Sequence, residues 1–173
     1  MMDSKELPVY AAFEKFGIEY TRLEHPAAAT MEACAAIGAE TGAHHCKNLF
    51  LTNRQGTAFF LVMLGSSKKF RTASVSKQLG TARLSFTTAE QLESILGLTQ
   101  GSVTVTGLLH DTAHCVNVAI DKDLLREERI LIHPNINTAS LVVKTSDILR
   151  FLDSLGYSYI PIDVESESEA AAN

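Results

Sequence analysis

The sequence predicts an α/β fold, a mixed sheet with flanking helices, on two observations. Short apolar runs recur along the chain, and between them stand stretches with helical spacing that end at glycine, in no regular βαβ order. A length of 173 residues, with 46% hydrophobic and 20% charged, is that of one domain able to bury a core without disulfides or metal.

Taken in order, Asp3 or Ser4 can cap a first helix through Leu7, Tyr10, Ala11 and Phe13, with Gly17 as its stop. Ile18 to Leu23 alternates like a strand, His25-Pro26 breaks the chain, and Thr30 opens an alanine-rich helix ending near Gly38. Residues 47–52 and 57–63 read as a buried hairpin around the turn Asn53-Arg54-Gln55-Gly56. Thr72 to Leu79 reads as a helix stopped by Gly80, and Thr87-Thr88-Ala89-Glu90 as a capping box for a helix ending at Gly97. Strands are expected at 115–120, 129–132 and 141–143, and a last helix from Ser146 to Leu155. The domain is expected to span 1–164, and residues 165–173, without a core-forming side chain, to be an acidic flexible tail.

Cys34, Cys46 and Cys115 are odd in number and scattered, which points to reduced thiols and a cytoplasmic protein. The polar start is unlike a signal peptide, and no apolar run is long enough to span a bilayer, so no membrane association is expected. The net charge of −5 conceals strong segregation. Residues 41–89 hold seven Lys/Arg and no Asp/Glu, whereas acids outnumber bases on both sides. Such an island is either a phosphate-binding face or a solvated surface paired with acidic helices.

Three constellations could carry chemistry. Lys47 opens an otherwise apolar strand, as an edge gatekeeper or as a cation held in a cleft to polarise a carbonyl or hold a phosphate. Leu98 to Val103 is a glycine loop whose backbone N–H groups and hydroxyl can surround an oxyanion, or a plain turn. His133 ends a strand before Pro134 and either bonds backbone or orients a substrate group. His44-His45-Cys46 and His110 to Cys115 match no established zinc spacing, and no serine or cysteine nucleophile motif is present.

The order of these motifs resembles the freestanding prolyl-tRNA-editing proteins, also called the YbaK/ProX or prolyl-tRNA synthetase-associated domain family. The residues that carry the resemblance are Glu24-His25-Pro26, Lys47-Asn48-Leu49-Phe50-Leu51, Leu61-Val62-Met63, Lys77-Gln78-Leu79-Gly80, Arg83-Leu84-Ser85-Phe86, Leu96-Gly97-Leu98, Gly101-Ser102-Val103, His133-Pro134-Asn135 and the Asp147 to Leu152 helix. It implies a single compact α/β domain around a mixed, partly barrel-like sheet. The implied activity is hydrolysis of mischarged tRNA for proline, most closely the removal of alanine, with neither metal nor other cofactor and no DNA partner. Removal of cysteine, or a non-catalytic sensing module on the same fold, are the alternatives. Prolyl-tRNA synthetase, which makes the error, is a candidate partner. A methylene or two is worth only about 1–3 kcal/mol of discrimination, so a second, size-excluding site must supply the rest.

Carried over to this chain, the family's lysine is Lys47, acting at the terminal phosphate or aminoacyl carbonyl with Asn48 beside it. Gly101 and Ser102 would line the loop holding the ester carbonyl, His133 would position the aminoacyl group, and Thr30 would border the pocket. Lys68, Lys69, Arg71, Lys77 and Arg83 would contact tRNA phosphates. Relatives commonly continue the glycine loop with Pro-Phe where this chain has Val105-Thr106, which predicts a less rigid loop.

Overall fold

In the computed structural model, which describes residues 2–27 and 31–168, the chain runs through five α-helices and eight strands. They are α1 (Leu7–Phe16), β1 (Thr21–Glu24), α2 (Met31–Thr41), β2 (His44–Thr52), β3 (Phe59–Gly65), α3 (Thr72–Gln78) and β4 (Ser85–Phe86), then α4 (Ala89–Leu96), β5 (Val116–Asp121), β6 (Arg129–Ile132), β7 (Ala139–Lys144), α5 (Thr145–Ser154) and β8 (Tyr159–Ile162). Thr30 lies outside the described residues.

The sheet has the order β1-β7-β6-β2-β3-β5-β8, with β4 added on β2, and mixes antiparallel with parallel pairs. β3 shows why its sequence is apolar without interruption: Leu61 and Met63 enter one core while Phe60, Val62 and Leu64 enter another, so both faces are covered. The larger core packs α1, α4 and α5 through Val9, Phe13, Leu92, Leu96, Ile148, Phe151 and Leu152. The smaller lies under α3 through Val75.

Several boundaries move for physical reasons. The first helix is capped at Glu6, not at Asp3 or Ser4, and makes no side-chain cap bond there; Leu7 is exposed, and the buried pair is Val9 and Phe13. Glu6 is itself buried, bonded to Arg22 Nε at 2.8 Å and Nη2 at 3.0 Å and to Tyr10 Oη. Thr88, not Thr87, caps α4, with Gln91 completing the box, because Thr87 still donates its N–H to Phe50 O in the manner of a strand. The 3-10 turn Val105–His110 and strands β4 and β8 are absent from the sequence reading.

Of the expected tail, only residues 165–168 lie within the described residues. Residues 165–168 stay on the fold: Lys69 N donates to Glu165 O at 2.9 Å, Glu167 N donates to Ser67 O at 3.0 Å, and Lys68 bridges Ser166.

Candidate active site

β2 is the strand on which the site is built. Cys46 to Thr52 pair with β3 along one edge, while the other edge meets β6 only at His44 and His45 and β4 only at Leu51 and Thr52. Between these two contacts Lys47, Asn48 and Leu49 have an edge without a strand partner among the described residues. Backbone polar groups and side chains are therefore available together in one gap, as a substrate cleft requires.

Strand alternation sends the two key side chains to opposite faces. Lys47 shares its face with Leu49 and Leu51; its ammonium donates to Lys68 O at 2.8 Å and lies 3.9 Å from Glu167. Asn48, opposite Met63, turns to the face of the larger core, and its Oδ1 is buried without a hydrogen-bond partner. A buried carbonyl oxygen left unpaired costs roughly 1–3 kcal/mol, the kind of expense found where a ligand completes the bonding.

Two loops carry the other expected site residues. His133 follows β6; its Nδ1–H donates to Ala139 O at 3.0 Å, which assigns the tautomer and leaves Nε2 as an acceptor. Burial holds His133 below the usual imidazole range, against the opposing effect of that bond, so the ring is neutral at pH 7. The His25 ring, anchored by Nε2 to Ser140 Oγ at 2.8 Å, stands 6.1 Å from it. Gly101 has φ +88, which a side chain would strain, and a Cβ there would meet Asn137 Nδ2 at 3.7 Å. Ser102 is 2% exposed and its Oγ donates to Thr99 O at 2.8 Å, so its side chain shapes the turn.

His45 was not singled out as a site residue by sequence reasoning. It is on the Lys47 face two residues earlier, and its Nδ1 is buried without a partner. Burial, followed by the fields of His133, His44, Lys47 and His25, pushes it down to about 4. Alternation along β2 from Lys47 was the signal that could have found it.

Of the expected phosphate contacts, Lys69, Arg71, Lys77 and Arg83 are exposed. Lys68 is not: it is 7% exposed, 2.5 Å from Asp123 and 3.6 Å from Asp121, with a third bond to Val164 O at 2.7 Å. Its charge is consumed inside the protein, which corrects its assignment to a tRNA-facing surface. Nor is the Val105-Thr106 loop loose. Thr104 Oγ1 donates to His133 O at 2.8 Å, and Thr106 Oγ1 reaches the same oxygen at 3.0 Å and Asn135 Oδ1 at 2.7 Å.

The described residues thus form one mixed α/β sheet, interrupted along β2 beside Lys47 and Asn48, with the neutral His133 at the end of β6. The chain belongs to the aminoacyl-tRNA editing domain family, whose model matches residues 25–151. It is 31% identical to the prolyl-tRNA editing protein ProX of Acetoanaerobium sticklandii over 94% of this chain and 99% of that protein. It is 30% identical to the prolyl-tRNA synthetase associated domain-containing protein 1 of Danio rerio over 86% of this chain and 80% of that one. A crystal structure described as a candidate trans-editing enzyme for prolyl tRNA synthetase superposes with a TM-score of 0.73 at 21% identity, covering 96% of this chain and 99% of that one, and shares the fold.

Proposed function

We propose that this chain is a trans-editing deacylase for mischarged tRNA of proline, and that alanine is the amino acid it removes. The observation that carries the reading is the gap in the β2 edge, with Lys47 on one face of the strand and the unpaired Asn48 Oδ1 on the other, on a family-matched domain. The names of the two relatives support proline as the tRNA's identity.

The chemistry needs no protein nucleophile, because an aminoacyl ester is already activated. Water adds to the ester carbonyl, the bond from carbonyl carbon to ribose oxygen breaks, and that oxygen takes up a proton as the free amino acid leaves. Catalysis then consists of positioning and of stabilising the developing oxyanion. Lys47 supplies the cation, its present acceptor being a neutral carbonyl that it can exchange for a phosphate or carbonyl oxygen. Asn48 has the polar group to fix the terminal ribose or ester, and His133 offers Nε2 to the substrate's amino group. Thr30 stands as a pocket residue from the family resemblance. A pocket shaped to the alanine methyl group would exclude the proline ring and so spare the correct product.

A deacylation time course on alanyl-, cysteinyl- and prolyl-tRNA for proline, with Lys47→Ala in parallel, tests this. Loss of alanine alone, abolished in the variant, is expected. Preferential loss of cysteine would replace the substrate, and tight tRNA binding without turnover would make the chain a sensing module.

A further inference from the structure

Phe86 is 66% exposed, the most exposed of the chain's large hydrophobic side chains among the described residues. β4 exists for two residues only, and its pairing with β2 sets Phe86 directly opposite Leu51. Opposite residues of an antiparallel pair share a face, and so do residues 47, 49 and 51 of one strand. Phe86 therefore stands on the Lys47 face, about 13 Å along β2 at 3.3 Å per residue. The Phe70 ring lies 6.4 Å from it at 57° and is itself packed on the smaller core, so the exposed ring is braced by a fixed one.

The sequence around the pair is cationic, with Arg71 lying 3.6 Å from Glu165. Lys69 and Arg71 flank Phe70 in the chain, Arg83 precedes β4, and no acid occurs between residues 41 and 89. An exposed aromatic ring beside cations, on the face of a lysine suited to a nucleic-acid terminus, is the composition of a single-strand binding platform. Rings accept the π-face of any base, and the cations follow the backbone. A protein partner would instead favour a wider apolar patch, and here the exposed apolar surface is one side chain.

We propose that Phe86, braced by Phe70, is a stacking platform for an unpaired nucleobase of an RNA whose end is held at Lys47. This rests on the proposed tRNA-editing reading for the identity of the RNA, but its own test does not require turnover. The chain contains no tryptophan, so Phe86→Trp creates a single tryptophan at the platform, whose emission is separable from that of the four tyrosines. Titrating that variant with a short single-stranded RNA bearing the CCA end of tRNA should quench its emission, and a variant that also carries Lys69→Ala should quench similarly with weaker, less salt-dependent binding. Phe86→Ala should weaken binding of the same RNA roughly 5- to 150-fold, the fold-change of about 1–3 kcal/mol for one stacked base, and Phe86→Tyr should restore it. Unchanged emission at saturating RNA, or parental affinity in Phe86→Ala, would overturn the platform. Quenching without any deacylation in the parent would retain the platform and overturn the editing reading instead.

Discussion

The Thr106 hydroxyl sits 3.0 Å from the carbonyl oxygen of His133, and the same hydroxyl is 2.7 Å from Asn135 Oδ1. Thr106 is fully buried, and Asn135 holds φ +65, an unusual backbone state for a residue other than glycine. Thr106 thus ties the 3-10 turn to the histidine turn. Replacing it by Thr106→Val keeps the shape but removes the donor. We expect a loss of about 1–3 kcal/mol in urea unfolding, with Thr106→Ser recovering most of it; equal stability of the Val variant and the parent would show that the bond contributes nothing.

Lys68 gives the opposite sign from a surface lysine. Removing its ammonium in Lys68→Met leaves Asp121, 1% exposed, with an uncompensated charge, and a buried pair broken on one side typically costs about 3–5 kcal/mol. The double variant Lys68→Met with Asp121→Leu should regain part of that loss. RNA binding by the single variant, measured where it is still folded, should keep the parental salt dependence, whereas a flattened slope would return Lys68 to the interface.

How much of this was legible depends on range. The hairpin 47–63, the strand 129–132 and the helix after Lys144 follow from local periodicity, and the structure places them within a few residues. The gap in β2 was not legible, because it is made by where β6 and β4 stop, a matter of pairing between distant segments. Lys47 stood out as a charge in an apolar run. His45 did not, since it became unusual only when His133 and His25 were folded against it. Lys68 looked identical to Lys69, and only the fold, by bringing Asp121 and Asp123 to it, separates them.

The histidines make a prediction about acid. His45 has its folded-state value pushed down to about 4 by burial first and by the neighbouring His133, His44, Lys47 and His25 second, while an unfolded histidine titrates near 6.5. The unfolded chain therefore binds the extra proton between these values. The contribution of neutral His45 is complete above about pH 6.5 and declines as pH falls towards 4. His133, shifted in the same direction, adds to this slope. Buried carboxylates held low, such as Asp111, bonded to Tyr157 Oη and to the N–H groups of Cys115 and Val116, lose their contribution only below the ordinary carboxylate range. Urea midpoints between pH 7 and 4.5 should fall in the parent and fall less in His45→Gln; parallel curves would remove His45 as the source.

The acidic segment bears on RNA affinity. Glu165 lies 3.6 Å from Arg71 and Glu167 lies 3.9 Å from Lys47, so two carboxylates sit on cations of the face assigned to phosphates. The Arg71 pair is solvent-exposed and the Lys47 pair, at 3.9 Å, is long and open on its glutamate side, so both are individually weak, and the segment is held chiefly by its backbone bonds to Ser67 and Lys69. Neutralising them in full-length Glu165→Gln/Glu167→Gln should thus leave stability nearly unchanged while freeing two cations. Each freed cation that meets a phosphate adds to the salt dependence of binding, by roughly 0.7 in the slope of log K against log salt for a single strand. The double variant should bind the CCA-ended RNA more tightly than the parent at low salt, with a slope steeper by about 1.4, and the advantage should shrink as salt rises. Equal affinity and slope would mean that RNA approaches by a path on which Lys47 and Arg71 are not the contacts.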